Sequence, residues 1–167
     1  DVLVYVGGVG LREGEYLAER SSIPTTSTRP ADNYAYLSTV DGKLTLTLCN
    51  YNYEGTGTFI SNRLTYGIYS SADLKIVSQG NNTVGPITAP LERYTSFGIG
   101  EGETISINSD DYSTLTIKGV NTGIDLTRYL FINGNLNMTD VAGGVSGGNT
   151  MGRVALDSGK INIDCTG

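Results

Sequence analysis

The chain has 167 residues, of which 38% are apolar and 17% charged, with 23 glycines and a net charge of −6. That length fits one domain, and so little charge beside plentiful Tyr, Ile and Val excludes charge-driven disorder. The Lys and Arg residues are scattered, so nothing resembles a phosphate-neutralising cluster for nucleic acid, and no apolar run is long enough for a membrane-spanning helix.

Val2-Leu3-Val4-Tyr5-Val6 predicts a strand, followed by a turn at Gly7-Gly8. Gly7-Gly8-Val9-Gly10 lacks the following helix that a phosphate-binding loop requires, and so reads as a turn. Leu11 to Arg20 alone has helix-forming composition, and Gly14 interrupts it. Ser21 to Asn33 is a Ser/Thr/Pro-rich loop. We expect residues 1–40 to form an N-terminal cap and loop, and residues 41–167 to form the repeating part of a single domain over 1–167. A start without methionine is expected of a mature or trimmed segment whose targeting sequence is missing.

Beyond residue 40 an apolar-polar-apolar triplet recurs, the period-2 signature of a half-buried strand. Leu44-Thr45-Leu46, Leu74-Lys75-Ile76, Ile105-Ser106-Ile107, Leu130-Phe131-Ile132 and Ile161-Asn162-Ile163 start at steps of 30, 31, 25 and 31 residues. A period of this size predicts a solenoid. Each step carries a second marker ahead of its triplet: Gly67-Ile68, Gly98-Ile99, Gly123-Ile124 and, more loosely, Gly152-Arg153-Val154. Third-strand candidates are Asn82-Thr83-Val84, Leu115-Thr116-Ile117 and Leu136-Asn137-Met138. Three short strands per unit predict an all-β fold, a right-handed, single-stranded parallel β-helix of about five coils. Leu74, Ile76, Ile105, Ile107, Leu130, Ile132, Ile161 and Ile163 are then expected to stack inward in register. A sandwich of hairpins would show more two-residue turns than Asp41-Gly42 and Asn133-Gly134.

Several segments carry a family resemblance. Leu3-Val4-Tyr5-Val6-Gly7-Gly8, Gly42-Lys43-Leu44-Thr45-Leu46, Asn50-Tyr51-Asn52-Tyr53-Glu54-Gly55, and Gly67-Ile68-Tyr69-Ser70 through Gly80-Asn81-Asn82-Thr83-Val84 are involved. Over roughly residues 40–165 the chain resembles secreted or wall-associated, carbohydrate-binding repeat proteins of anaerobic Gram-positive bacteria. The resemblance implies a pectate-lyase-like β-helix, an extracellular or cell-wall-associated location, and in some members calcium-assisted binding of acidic or cellulosic polysaccharide.

The residues narrow the chemistry further. With no histidine, the commonest general base and the Ser-His and Cys-His pairs are absent, and Cys49 and Cys165 alone do not make a zinc site. Both cysteines are expected to be free, since they lie near opposite ends of the repeat array. Asp110-Asp111 is the best carboxylate pair and the candidate calcium site, set against the ordinary use of a turn Asp to cap its own backbone. A polygalacturonase-like site would also need Asn-Thr-Asp, Gly-His-Gly and Arg-Ile-Lys, whereas Asn121-Thr122-Gly123 and Thr116-Ile117-Lys118 stand here. Lys75 and Lys118 have no Asp cluster beside them in sequence for a lyase mechanism. We therefore expect no catalysis. Eleven tyrosines with no tryptophan offer flat rings with a hydroxyl, suited to glycans. Tyr69, Tyr94, Tyr112 and Tyr129 are the candidate ligand-binding residues, for polysaccharide or a host surface glycan on an outer face. The alternative is a structural spacer or protein-binding adhesin segment of a larger surface protein.

Overall fold

In a computed structural model, residues 2–20, 24–89, 91–126, 128–147 and 153–165 are described. They form strands and turns and include no helix, and hence none able to cross a membrane. The N-terminal strands are β1 (Val4–Val6), β2 (Val9–Leu11), β3 (Tyr16–Ala18) and β4 (Tyr34–Val40). The repeats then run through β5 (Lys43–Cys49), β6 (Asn52–Gly55), β7 (Thr58–Phe59), β8 (Leu64–Ser70), β9 (Leu74–Gln79), β10 (Asn81–Ile87) and β11 (Thr95–Gly100). They continue as β12 (Thr104–Ser109), β13 (Thr114–Leu126), β14 (Tyr129–Asn133), β15 (Asn135–Gly147), β16 (Arg153–Ser158) and β17 (Ile161–Cys165).

The strands fall into two sheets, and from β11 onward successive strands alternate between them. One runs β17-β15-β13-β11-β8-β1-β2, with β10 pairing β13 and β6; the other runs β16-β14-β12-β9-β5-β4-β3. From β5 onward the pairs across coils are parallel, consistent with a β-solenoid. The N-terminal strands are antiparallel: β4 joins β5 through the Asp41-Gly42 hairpin, where both residues have positive φ (51° and 75°), and β1 lies against β8.

The triplets do stack, because alternation sends their outer members inward. Leu46, Ile76, Ile107 and Ile132 are in register, as are Leu74, Ile105 and Leu130, all buried. The next members of these rows are Val154 and Leu156 on β16, and not Ile161 and Ile163. The latter pair with Leu136 and Met138 in the other sheet. The expectation misplaced them because the coil shortens: Ile132 to Leu156 is a step of 24 residues, so Val154-Ala155-Leu156 is the fifth triplet. The third-strand candidates share one sheet, with Asn82, Leu115 and Leu136 in register and Val84, Ile117 and Met138 beside them.

Ile68, Ile99, Ile124 and Val145 form a fifth row. The glycine preceding each member is forced by close approach. A Cβ on Gly67, Gly98 or Gly123 would lie 2.9, 2.7 or 2.8 Å from the carbonyl oxygen of the next coil, and against Val84, Ile117 or Met138 respectively. The fourth such glycine is Gly144, facing Ile163; Gly152 of the looser marker lies outside the described residues. Asn82 is the one polar member of the inner rows named here. Its Oδ1 accepts the Tyr51 N–H (2.7 Å), and its Nδ2 donates to Ser78 Oγ (2.9 Å) and to the Gln79 carbonyl (3.0 Å), which makes burial tolerable. Cys49 and Cys165 are free thiols.

Candidate functional site

The four candidate tyrosines lie on different parts of the surface. Tyr69 on β8 packs against Tyr66 (ring centroids 5.2 Å apart) and Tyr5 (6.5 Å). Tyr94, just before β11, packs against Phe59 at 5.2 Å, with the Arg93 guanidinium over its ring. Tyr129 on β14 lies in the other sheet, beside Phe131 and under Arg128, which Glu103 holds at 3.0 Å. Tyr112, in the turn between β12 and β13, is 92% exposed. Among the described residues these ring contacts join no two of the four.

Asp110 and Asp111 share that turn. Asp110 Oδ1 accepts the N–H of Tyr112 (3.0 Å), and its carbonyl accepts the N–H of Ser113 (3.3 Å). This is the local capping use of a turn aspartate. Among the described residues no cluster of three or more Asp, Glu, Cys or His forms. Calcium takes six to eight oxygens, so this pair does not fit a calcium cage.

Register brings together side chains that the linear sequence keeps apart. On the outer side of the sheet containing β6, β10, β13, β15 and β17, Asn52, Thr83, Thr116, Asn137 and Asn162 fall in one row, one per coil. Two positions earlier along the strands, Asn81, Thr114 and Asn135 make a second row. Neighbouring parallel strands lie about 4.7–4.9 Å apart, so each row is an evenly spaced ladder of uncharged donors and acceptors. Some rungs bond to each other: Thr114 Oγ1 donates to Asn81 Oδ1 and Asn162 Nδ2 to Asn137 Oδ1, both at 3.0 Å. Asn135 Nδ2 donates to the carbonyls of Ser113 (3.1 Å) and Asp111 (3.4 Å), tying the Tyr112 turn to the edge of this face. Among the described residues the Thr83 and Thr116 hydroxyls and the Asn52 carboxamide have no protein hydrogen-bond partner. At the N-terminal end of the face a cleft of about 420 Å³ is walled by Tyr51, Asn52, Tyr53, Glu54, Thr83 and Lys118. Burial, reinforced by the charge of Glu19, pushes the Tyr51 phenol well above its ordinary range, and burial raises that of Tyr53, whose oxygen accepts the Gly57 N–H (2.9 Å).

A second cluster surrounds Tyr66, which is fully buried although it stands near a turn in sequence. Its ring stacks on Phe97 (4.9 Å) over Gly100, where a Cβ would collide with it. Its hydroxyl lies 2.9 Å from Asp125 Oδ2 and 3.3 Å from Glu101 Oε2. Ser146 Oγ donates to Asp125 Oδ1 (3.1 Å), so both oxygens of that carboxylate are engaged. Burial first, then the two carboxylates, raise the Tyr66 phenol far above its usual value.

Comparison with protein-family models, curated proteins and solved structures finds no match for this chain. Its candidate site rests on its own geometry. The sequence signal that could have exposed the first ladder is the middle residue of each third-strand triplet, Thr83, Thr116 and Asn137. Those residues look like ordinary solvent-facing positions until the coils are aligned.

Proposed function

We propose that this chain is a noncatalytic binding module, extracellular or cell-wall-associated, that holds polysaccharide or a host surface glycan on one outer face of a right-handed β-helix. The observation that carries the reading is the ladder Asn52, Thr83, Thr116, Asn137 and Asn162. A ligand that repeats along its length can meet one donor or acceptor per coil, and many individually weak contacts then add. The Thr83 and Thr116 hydroxyls, unpartnered among the described residues, are available to sugar hydroxyls. Tyr112 supplies an exposed ring at the flank for stacking on an apolar sugar face. Tyr69, Tyr94 and Tyr129 would serve as separate, secondary stacking points.

Right-handedness follows the strong preference of parallel crossover connections. Kinship with secreted, wall-associated β-helix proteins of Gram-positive bacteria fits the coil markers. Absence of catalysis is supported by a sequence without histidine and by the engagement of both Asp125 oxygens. The second reading is a structural spacer or protein-binding adhesin segment. The bonds Asn81–Thr114 and Asn137–Asn162, which tie coil to coil, favour it.

The test is titration of neutral and acidic polysaccharide oligomers into wild type, a Thr83→Val/Thr116→Val double variant and Tyr112→Ala. Losing two hydrogen bonds of about 0.5–1.5 kcal/mol each should weaken binding by roughly 5- to 150-fold in the double variant. Equal affinity in all three proteins rejects the ladder. No binding by wild type moves the assignment to the spacer reading.

A further inference from the structure

Among the described residues the ladder's first strand, β6, pairs only with β10, and beside it stands the N-terminal cap. The Asn52 N–H donates to Glu19 Oε2 (3.4 Å), just past β3. The Tyr53 ring fits against Gly7 in the turn between β1 and β2, where a Cβ would collide with it. The cleft of about 420 Å³ lies at this junction and is large enough for a small ligand. Asn52 and Thr83, the first two rungs of the ladder, line it together with Val6, Val9 and Leu17 of the cap. A chain lying along the ladder therefore runs into the cap here.

Tyr51 also lines the cleft, and it is only 5% exposed. Among the described residues its hydroxyl has no protein hydrogen-bond partner, which is uncommon for so buried a side chain and leaves a bond to be made by a ligand. With the Asn52 carboxamide and the Thr83 hydroxyl it gives three unpartnered polar groups beside an apolar cap wall. That pairing matches a sugar ring, whose hydroxyls lie at the rim and whose C–H groups form the faces. The charges of the cleft cancel. Arg20 and Lys118 are its cations, Glu54 is on its lining, and Glu19 lies 3.9 Å from Arg20 Nε. A carboxylate sugar meets no excess cation there, and the net charge of −6 disfavours the approach of a polyanion.

From these observations we infer that the cleft lodges the terminal residue of a neutral glycan, whose following residues run away from the cap over Thr116, Asn137 and Asn162. The inference rests on the glycan-binding reading above and adds to it the end of the chain and its lack of charge. A terminal sugar carries a free hydroxyl where an internal one carries a glycosidic oxygen. Tyr51, Asn52 and Thr83 bond the hydroxyls of that end residue, and the cap leaves no room for a further sugar beyond it.

The test is calorimetric titration of wild type and Tyr51→Phe with β-glucan, β-mannan, β-xylan and galacturonate hexamers, and with the long parent polymer of the neutral hexamer that binds tightest, whole and partly cleaved. A neutral hexamer should bind more tightly than the galacturonate one. The amount of wild type held by a fixed mass of polymer should rise in proportion to the number of chain ends as the polymer is cleaved, a measurement independent of variant folding. Tyr51→Phe removes one hydroxyl and keeps the ring, and it should weaken hexamer binding by roughly 2- to 13-fold, the worth of one neutral hydrogen bond. Tighter binding of the galacturonate hexamer, a capacity that follows polymer mass whatever the chain length, or equal affinity in Tyr51→Phe overturns the inference. In each of those outcomes the ladder still binds glycan and only the end-on reading fails. Absence of binding by every hexamer overturns both.

Discussion

Tyr66 has an ordinary reference pKa near 10 once the chain unfolds, but in the fold its phenol is held neutral by burial and by the carboxylates of Asp125 and Glu101. A group whose folded pKa is raised contributes its full stability below the unfolded value and loses it as pH rises towards the folded value. Stability should therefore fall as pH climbs past about 10, while the unfolded tyrosine ionises and the folded one does not. Thermal melts of wild type and Tyr66→Phe over about pH 8 to 11 check this. The variant should melt lower at pH 8, for want of the hydroxyl's bonds, and lose less with rising pH. Parallel curves would show that Tyr66 does not carry the alkaline limb. The sequence hides this role, because Tyr66 stands beside a turn like Tyr112, yet one ring is fully buried and the other 92% exposed. What separates them is Gly100, one coil away, whose missing side chain leaves room for the ring.

Among the strands, the Gly-Ile marker is the most demanding local device. Each glycine gives space to a side chain from the adjoining strand of its own or the following coil and to the next coil's backbone, so the marker is set by packing and not by a turn. Gly98→Ala should cost about 1–3 kcal/mol through overpacking, because the added carbon would sit 2.7 Å from Gly123 O and against Ile117. Urea unfolding with an unchanged slope and a lower midpoint is the expected result, and an unchanged midpoint would mean that the coils separate freely there. These markers were legible in the sequence at Gly67, Gly98 and Gly123 because isoleucine follows each of them. At Gly144 the partner is valine within a glycine-rich stretch, and the marker passes unnoticed. The same shortening of the coil moved Ile161 and Ile163 from one sheet to the other. Apolar alternation identifies a strand, but a change of a few residues in a corner decides which face of the solenoid it joins.

For the whole molecule, the architecture was largely legible and the candidate surface was not. Inward rows announce themselves by apolar type, whereas an outer row of Asn and Thr has no chemical signature until parallel register lines it up. Asn82 shows the converse: it lies in an inner row with Leu115 and Leu136, yet its amide is fully used at the corner, so residue type alone would have set it outside. Tyrosine-based reasoning picked scattered rings, since it weighed composition without register. The glycan-binding claim is tested most directly by an amide chemical-shift map of the isotopically labelled protein during titration with the polysaccharide oligomer that binds tightest. Shifts should concentrate on β6, β10, the first half of β13, β15 and the Tyr112 turn. Shifts confined to the surroundings of Tyr69, Tyr94 or Tyr129, with the Asn/Thr rows silent, would contradict the account.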